Sequence, residues 1–252
     1  MTNVPTDWWR SFFSDVTVDM WLQAVPEEHT LRETAFIRKM LQVAPPARLL
    51  DVPCGGGRHC LPLAAAGYQM TGVDFSSDFL TAARSRAAEQ KLEVTWLECG
   101  MRDISWDEEF DGAFCFGNSF GYDDDEGNSA YLKAVARSLK PGARFLLDYP
   151  MALEALLPKF QERSWFQFGN IHFLRDGRYD HVSGRIETEY TFIRDGQVVK
   201  RPATHRAYTY REVCGMLAEA GFAEVQASGS LSEEPFRLGS TGLFLVATKK
   251  TA

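Results

Sequence analysis

The chain has little with which to staple itself. Its five cysteines, Cys54, Cys60, Cys99, Cys115 and Cys214, are odd in number and include no CxxC pair, so neither a disulfide framework nor a zinc site follows. The acidic run Asp123, Asp124, Asp125 and Glu126 lacks the ligand spacing of a calcium loop and reads as a solvated loop and helix cap, so no metal is expected. No apolar run approaches the roughly 20 residues that cross a bilayer. The opening MTNVPTDWWRSFF has neither the basic stretch nor the apolar core of a secretory leader. The expectation is a cytoplasmic protein with no membrane partner. Positive charge is also scarce. A net charge of −7 argues against a nucleic-acid groove, because neutralising phosphates takes a basic field. Repeats, linkers and low-complexity tracts are absent.

What remains is enough for a self-sufficient core. A chain of 252 residues can bury roughly 70–75% of its unfolded surface without staples. Residues 7–22 are rich in aromatics, and Trp9, Phe12, Phe13 and Val16 have helical spacing. The cluster from Trp8 to Phe13 reads as core rather than as a lid. A second helix is expected at 30–43, with Thr30 and Glu33 at capping-box spacing, and Pro45-Pro46 ends it. Together these make an N-terminal helical segment, 7–43.

Five strand-like runs follow, at 47–52, 69–73, 93–98, 113–116 and 144–148, with helical patterns near 58–66, 77–89 and 127–139 between them. Lys140-Pro141-Gly142 reads as a turn. This alternation implies a mostly parallel α/β sheet, Rossmann-like, covered by helices on both faces. The pattern breaks over 163–210. There Ile186, Thr188, Tyr190 and Phe192 alternate with more polar residues, and Asp176-Gly177, Ser183-Gly184 and Asp195-Gly196 are hairpin signals. A helix at 210–220, with Gly221 as its cap, and strands at 222–227 and 241–248 restore the α/β pattern. The segment 163–210 therefore reads as an antiparallel insertion in one continuous domain. It is placed to roof a pocket or to pair with a second subunit, in a monomer or homodimer.

The run Asp51-Val52-Pro53-Cys54-Gly55-Gly56-Gly57-Arg58-His59 follows an apolar strand and opens a helix. Glycines there allow a sharp turn and close approach to a ligand, and the helix start offers free N–H groups. Asp74 ends the next strand, where an acid can accept hydrogen bonds from a ribose. A dinucleotide fingerprint needs GxGxxG, but Cys60 holds the third glycine position, which disfavours a nicotinamide-dependent oxidoreductase. No P-loop is present. An acid ahead of the glycines would repel a pyrophosphate. It suits a ligand with a cationic amino group and no phosphate, as in the methionyl part of S-adenosylmethionine (SAM).

With these motifs the sequence resembles the class I SAM-dependent methyltransferases over residues 30–150 and 205–248. The resemblance rests on the Asp51–Gly57 loop, on Gly72-Val73-Asp74-Phe75-Ser76, on Met101-Arg102-Asp103, on Phe110-Asp111 and on Leu139-Lys140-Pro141-Gly142. Bacterial small-molecule members with CGxGRH, here Cys54–His59, and SFGY, here Ser119–Tyr122, look most similar. The resemblance implies a seven-stranded sheet with its last strand antiparallel, SAM as cofactor and a small-molecule methyl acceptor. It implies cofactor contacts from Asp51, Pro53, Cys54, Gly55 and Gly57 around the methionine end. Asp74 and Phe75 would lie at the ribose and adenine, Met101 and Arg102 beside the adenine, and Phe116 and Gly117 below the sulfonium. Where the family usually has a glycine this chain has Pro53, and where it often has an acid, Gly100. Arg58-His59 would support the glycine loop. His172, His205, Arg206 and Tyr208, on or beside the insertion, are the acceptor-side candidates for catalysis. A non-catalytic SAM-binding regulator is the alternative, distinguished by a plugged rather than open pocket near Phe116-Gly117.

Overall fold

The computed structural model describes residues 4–251. Three helices come first: α1 (Trp9–Phe12), α2 (Val16–Gln23) and α3 (Glu27–Leu41). The aromatic stretch does not form one helix, because the backbone reverses at Asp15, with φ at +49°. The expected capping box is not formed. α3 starts earlier, with Pro26 as N-cap, and Thr30 and Glu33 lie inside it, where their side chains face Arg58.

The Rossmann-like core runs β1 (Arg48–Asp51), α4 (Cys60–Ala65), β2 (Gln69–Asp74), α5 (Ser77–Glu89), β3 (Val94–Glu98), β4 (Phe110–Cys115), α6 (Asp125–Ser138) and β5 (Leu139–Asp148). A short helix, α7 (Leu153–Leu156), leads to the insertion strands β6 (Arg163–Phe168), β7 (Ile171–Asp180), β8 (Arg185–Arg194) and β9 (Gln197–Arg206). α8 (Tyr210–Glu219), β10 (Phe222–Ser228) and β11 (Phe244–Lys249) complete the chain. The main sheet has the order β10-β11-β5-β4-β1-β2-β3, with β11 antiparallel to both neighbours. This is a seven-stranded, mostly parallel sheet of the methyltransferase type. Its strands read as apolar runs because helices cover both faces. Leu50, Ala113 and Leu147 pack on one face; Leu49, Phe114 and Leu146 pack on the other. Lys140-Pro141-Gly142 is not a free turn. It is a bulge within β5, where the pairing with β4 jumps from Phe110↔Leu139 to Gly112↔Arg144 and Gly142 takes φ +78°.

The insertion forms its own four-stranded antiparallel sheet, β6-β7-β8-β9. Asp195-Gly196 closes the β8–β9 hairpin with both residues at positive φ, as a tight hairpin turn requires. Asp176-Gly177, however, lies inside β7, where Gly177 pairs with Thr188. The β6–β7 turn is instead at Gly169-Asn170. The alternation on either side of Asp176 continues through it, and cross-strand pairing overrides the local turn signal. One face of this sheet, with Ile171, Phe173, Phe192 and Ala203, buries against Trp8, Trp9, Phe12, Val16 and Met20. The sheet therefore packs on the N-terminal helices, which stand between most of it and the ends of the parallel strands. No helix among the described residues is long and apolar enough to cross a membrane.

Candidate functional site

The carboxyl ends of β1, β2 and β4 open into a cavity of about 790 Å³, within the range of about 300–1,000 Å³ typical of small-molecule sites. Its floor is the glycine loop. Cys54 N–H bonds to Val73 O at 2.8 Å and Gly57 N–H to Cys54 O at 3.0 Å, which folds the loop back over β2. Asp74 holds the loop from the side: its carboxylate accepts from the N–H of Gly55 at 2.8 Å and of Ser76 at 2.9 Å. Burial pushes the Asp74 carboxyl up to about 6, against the lowering effect of those N–H donors.

Of the residues expected at the cofactor, Pro53, Cys54, Gly55, Asp74, Phe75, Met101, Arg102, Phe116 and Gly117 all line this cavity. Asp51 and Gly57 do not. Asp51 is 1% exposed beneath the loop. Its Oδ2 accepts from Cys60 Sγ at 3.2 Å, and its Oδ1 is enclosed without a partner. Burial pushes its carboxyl up to about 8. Gly57, at φ +74°, backs onto α5 and β3: a Cβ there would meet Trp96 at 2.6 Å and Ala83 at 3.2 Å. Its smallness serves packing. Gly55, at φ +52° with nothing within 4 Å of a built Cβ, is the glycine that keeps the cavity clear.

Sequence reasoning missed Glu33. From α3 it accepts hydrogen bonds from Arg58 Nη1 and, at 3.0 Å, from His59 Nε2. Burial alone would raise its carboxyl; the bonds from His59 and Arg58 overcome this and bring it down to about 2. His59 is itself pushed down to about 4 by burial, so it donates as a neutral imidazole. The pair Arg58-His59 thus ties the loop to α3, the supporting role expected of it. Breaking a buried charge pair on one side leaves the other uncompensated. Glu33→Ala should therefore destabilise the fold by about 3 kcal/mol. Glu33 has a folded value below its unfolded 4.5, so its contribution is whole above pH 4.5 and is lost as pH falls towards 2. A melting-temperature series from pH 7 to 3 checks both points. An unchanged melting temperature in the variant at pH 7 would remove the clamp.

The acceptor-side candidates separate sharply. His205, on β9, is the only one of the four that lines the cavity. Its Nε2–H donates to Asn118 O at 3.0 Å, and burial pushes its imidazole down to about 3. His172 is exposed on β7: alternation turns Ile171 and Phe173 inward and leaves His172 on the outer face. Arg206 points away from the cavity to bond Asp125 Oδ1 at 2.9 Å and the carbonyls of Gly184 and Ala207. Tyr208 is buried in the main core, its hydroxyl donating to Asp125 at 2.7 Å and accepting from Asn128 at 3.1 Å. These last two dock the insertion onto α6.

β9 also docks onto the loop after β4. Arg206 N–H bonds to Gly121 O at 2.7 Å. Gly121 has φ +104°, and a Cβ there would sit 2.7 Å from Arg206 O. That contact places His205 beside Asn118. The N-terminal aromatics are both core and wall: Trp8, Trp9 and Phe12 are buried, yet they line the cavity with Phe13. Tyr122 and Tyr190 also line it. Periodicity marked these residues as buried but gave no sign of which space they enclose.

Comparisons with known proteins bear on the fold. Residues 49–142 match the family described as methyltransferase domain. A putative methyltransferase of Geobacillus sp. (strain WCH70) is 24% identical over 96% of this chain and 97% of its own. A ubiquinone biosynthesis O-methyltransferase of Xanthomonas oryzae pv. oryzae is 31% identical, but over 40% of this chain and 42% of its own length. A SAM-dependent methyltransferase from Clostridium acetobutylicum superposes with a TM-score of 0.78 at 17% identity, covering 92% of this chain and 96% of its own. SAM-bound CalS10, an amino pentose methyltransferase from Micromonospora echinaspora, gives 0.70 at 21% identity, covering 94% and 98%. Residues 49–142 are thus similar to the methyltransferase domain family, and the chain has the fold of the SAM-dependent methyltransferases over more than nine-tenths of its length.

Proposed function

We propose that the chain transfers the methyl group of SAM to a small-molecule acceptor. One observation carries the reading. The glycine loop, Asp74, Phe116-Gly117 and the side chains of Trp8, Asn118, Tyr122, Tyr190 and His205 all line one cavity of about 790 Å³. A cavity of that size supports the reading, with room for an acceptor beside the cofactor that a non-catalytic binder does not need.

The residues present fit the cofactor. Gly55 leaves room that a Cβ would fill. Asp74 has lone pairs left for ribose hydroxyls after serving two N–H groups. Met101 and Arg102 line the same cavity and are the residues that would border the adenine. When bound, the sulfonium supplies an electrophilic methyl group and departs as a neutral thioether. The chain's own task is then alignment and exclusion of water. The aromatic side chains Trp8, Trp9, Phe12 and Phe13 on the cavity wall would exclude water.

Methyl transfer to a metabolite panel, followed by mass spectrometry alongside calorimetric titration with SAM, tests the proposal. SAM binding without any methylated product would favour the regulator. His205→Ala should lower kcat/KM for the acceptor by roughly ten-fold with SAM affinity nearly unchanged. His172→Ala, on the outer face, should change neither. If His172→Ala lowers turnover as much as His205→Ala, the assignment of the acceptor side is wrong.

A further inference from the structure

After β3 the chain makes a single turn of 3-10 helix, Met101–Asp103. Gly100, Met101, Arg102 and Asp103 all line the cavity. The N–H of Asp103 closes the turn by bonding to Gly100 O at 3.0 Å. Gly100 itself is extended, with φ −69° and ψ 151°, a conformation open to any residue. The backbone therefore does not require glycine there. Space does. A Cβ built at Gly100 would run into Oδ2 of Asp103 and stand 3.4 Å from its Cγ. The Asp103 carboxylate has folded back along the turn into the volume that a side chain on Gly100 would occupy.

That carboxylate is free to take a ligand. Asp103 is exposed, and among the described residues its side chain has no ion pair or hydrogen bond. Its neighbour Arg102 faces Asp123 instead, at 3.7 Å. Of the other acids that line the cavity, Asp74 holds the N–H groups of Gly55 and Ser76, and Glu27 opens α3. An ionised carboxylate accepts hydrogen bonds and donates none, so what fits beside Asp103 is a donor.

We propose that Asp103 accepts a hydrogen bond from the exocyclic amino group of the adenine, and that the missing side chain of Gly100 makes room for it to do so. The inference rests on the methyltransferase reading above, in which Met101 and Arg102 border that ring. Asp103 is then the residue that selects an aminopurine over an oxopurine. The amino group offers an N–H to the carboxylate. An oxo group offers only oxygen, so two acceptors would face each other with no proton between them. A site built to hydrogen-bond an N–H rejects the analogue that lacks it, because its own polar group is left unpaired.

Calorimetric titration with S-adenosylhomocysteine, the demethylated product of SAM, and with S-inosylhomocysteine, which has an oxo group in place of the amino group, tests this. The wild-type protein should bind the adenosine form about ten-fold more tightly, the lower end for a hydrogen bond to a charged group. Asp103→Ala should lose most of that preference, through weaker binding of the adenosine form. Asp103→Asn should lose it too, since its amide can turn an N–H towards the oxo group. Gly100→Asp combined with Asp103→Ala should regain it, because the new side chain enters the volume that Asp103 has left. Thermal melts establish that each variant is folded. A wild type that binds both ligands equally overturns the proposal. So does a folded Asp103→Ala protein with its preference intact, or a folded double variant without one. If Asp103→Ala does not fold, Asp103→Asn decides on the same terms. A protein that binds neither ligand would instead overturn the methyltransferase reading.

Discussion

Gly55→Val is expected to weaken SAM binding by roughly 100-fold, about 2.8 kcal/mol, while the protein keeps its native circular dichroism. Gly55 has φ +52°, and a built Cβ meets no atom within 4 Å. The branched side chain would therefore enter the cavity rather than the core. It would also resist a positive φ that a β-branched residue rarely adopts. The neighbouring variant gives the contrast. Gly57→Val drives its side chain into Trp96 and Ala83, between the loop, β3 and α5. Overpacking of this kind typically costs about 1–3 kcal/mol, so Gly57→Val should lower the melting temperature as well as binding. Calorimetry with SAM and thermal melts on both variants separate the two. If Gly55→Val binds SAM as tightly as wild type, the loop is only a tight turn and the ligand lies elsewhere.

Asp74→Ala should weaken SAM binding by roughly 10- to 100-fold, since hydrogen bonds to charged groups contribute about 1.5–3 kcal/mol each. The carboxylate has two tasks, and both are lost. It holds the N–H groups of Gly55 and Ser76, and it offers acceptors to a ribose. Its ionisation gives the prediction a pH signature. Burial places its carboxyl at about 6, and hydroxyl donors favour the ionised form. Affinity should therefore be flat above about pH 7 and fall as pH drops through 6. Asp74→Asn should lack that inflection. An identical pH profile in wild type and Asp74→Asn would assign the dependence to another group.

Much of this was legible in the residues. Alternating apolar strands and helical runs set the α/β architecture because side-chain period is a local property. The glycine loop, Asp74, Met101 and Gly117 could be placed at one end of the sheet because parallel strands bring their carboxyl ends together whatever the helices do. The charge argument built on Asp51 was less secure. Sequence spacing places an acid there, but only packing determines that it lies beneath the loop, enclosed by Cys60 and the strand ends. Asp176-Gly177 misled for a related reason: a turn-forming pair yields to the nine residue pairs that align β7 with β8.

The sequence by itself determined the strand–loop–helix unit at 47–66, the acid at the end of β2, and a separate antiparallel segment over 163–210. Each of these is written in periodicity, glycine and turn chemistry within a few residues. Only the tertiary structure decided what faces the cavity. Glu33 reaches Arg58 and His59 across 25 and 26 positions. β9 docks on Gly121 across 85 positions, from Gly121 to Arg206, and so admits His205 to the cavity while turning Arg206 away. Rings of the N-terminal segment line the cavity together with Tyr190 and His205 of the insertion. Orientation across such distances depends on which faces bury together, a property of the whole packed molecule and not of any one stretch of it.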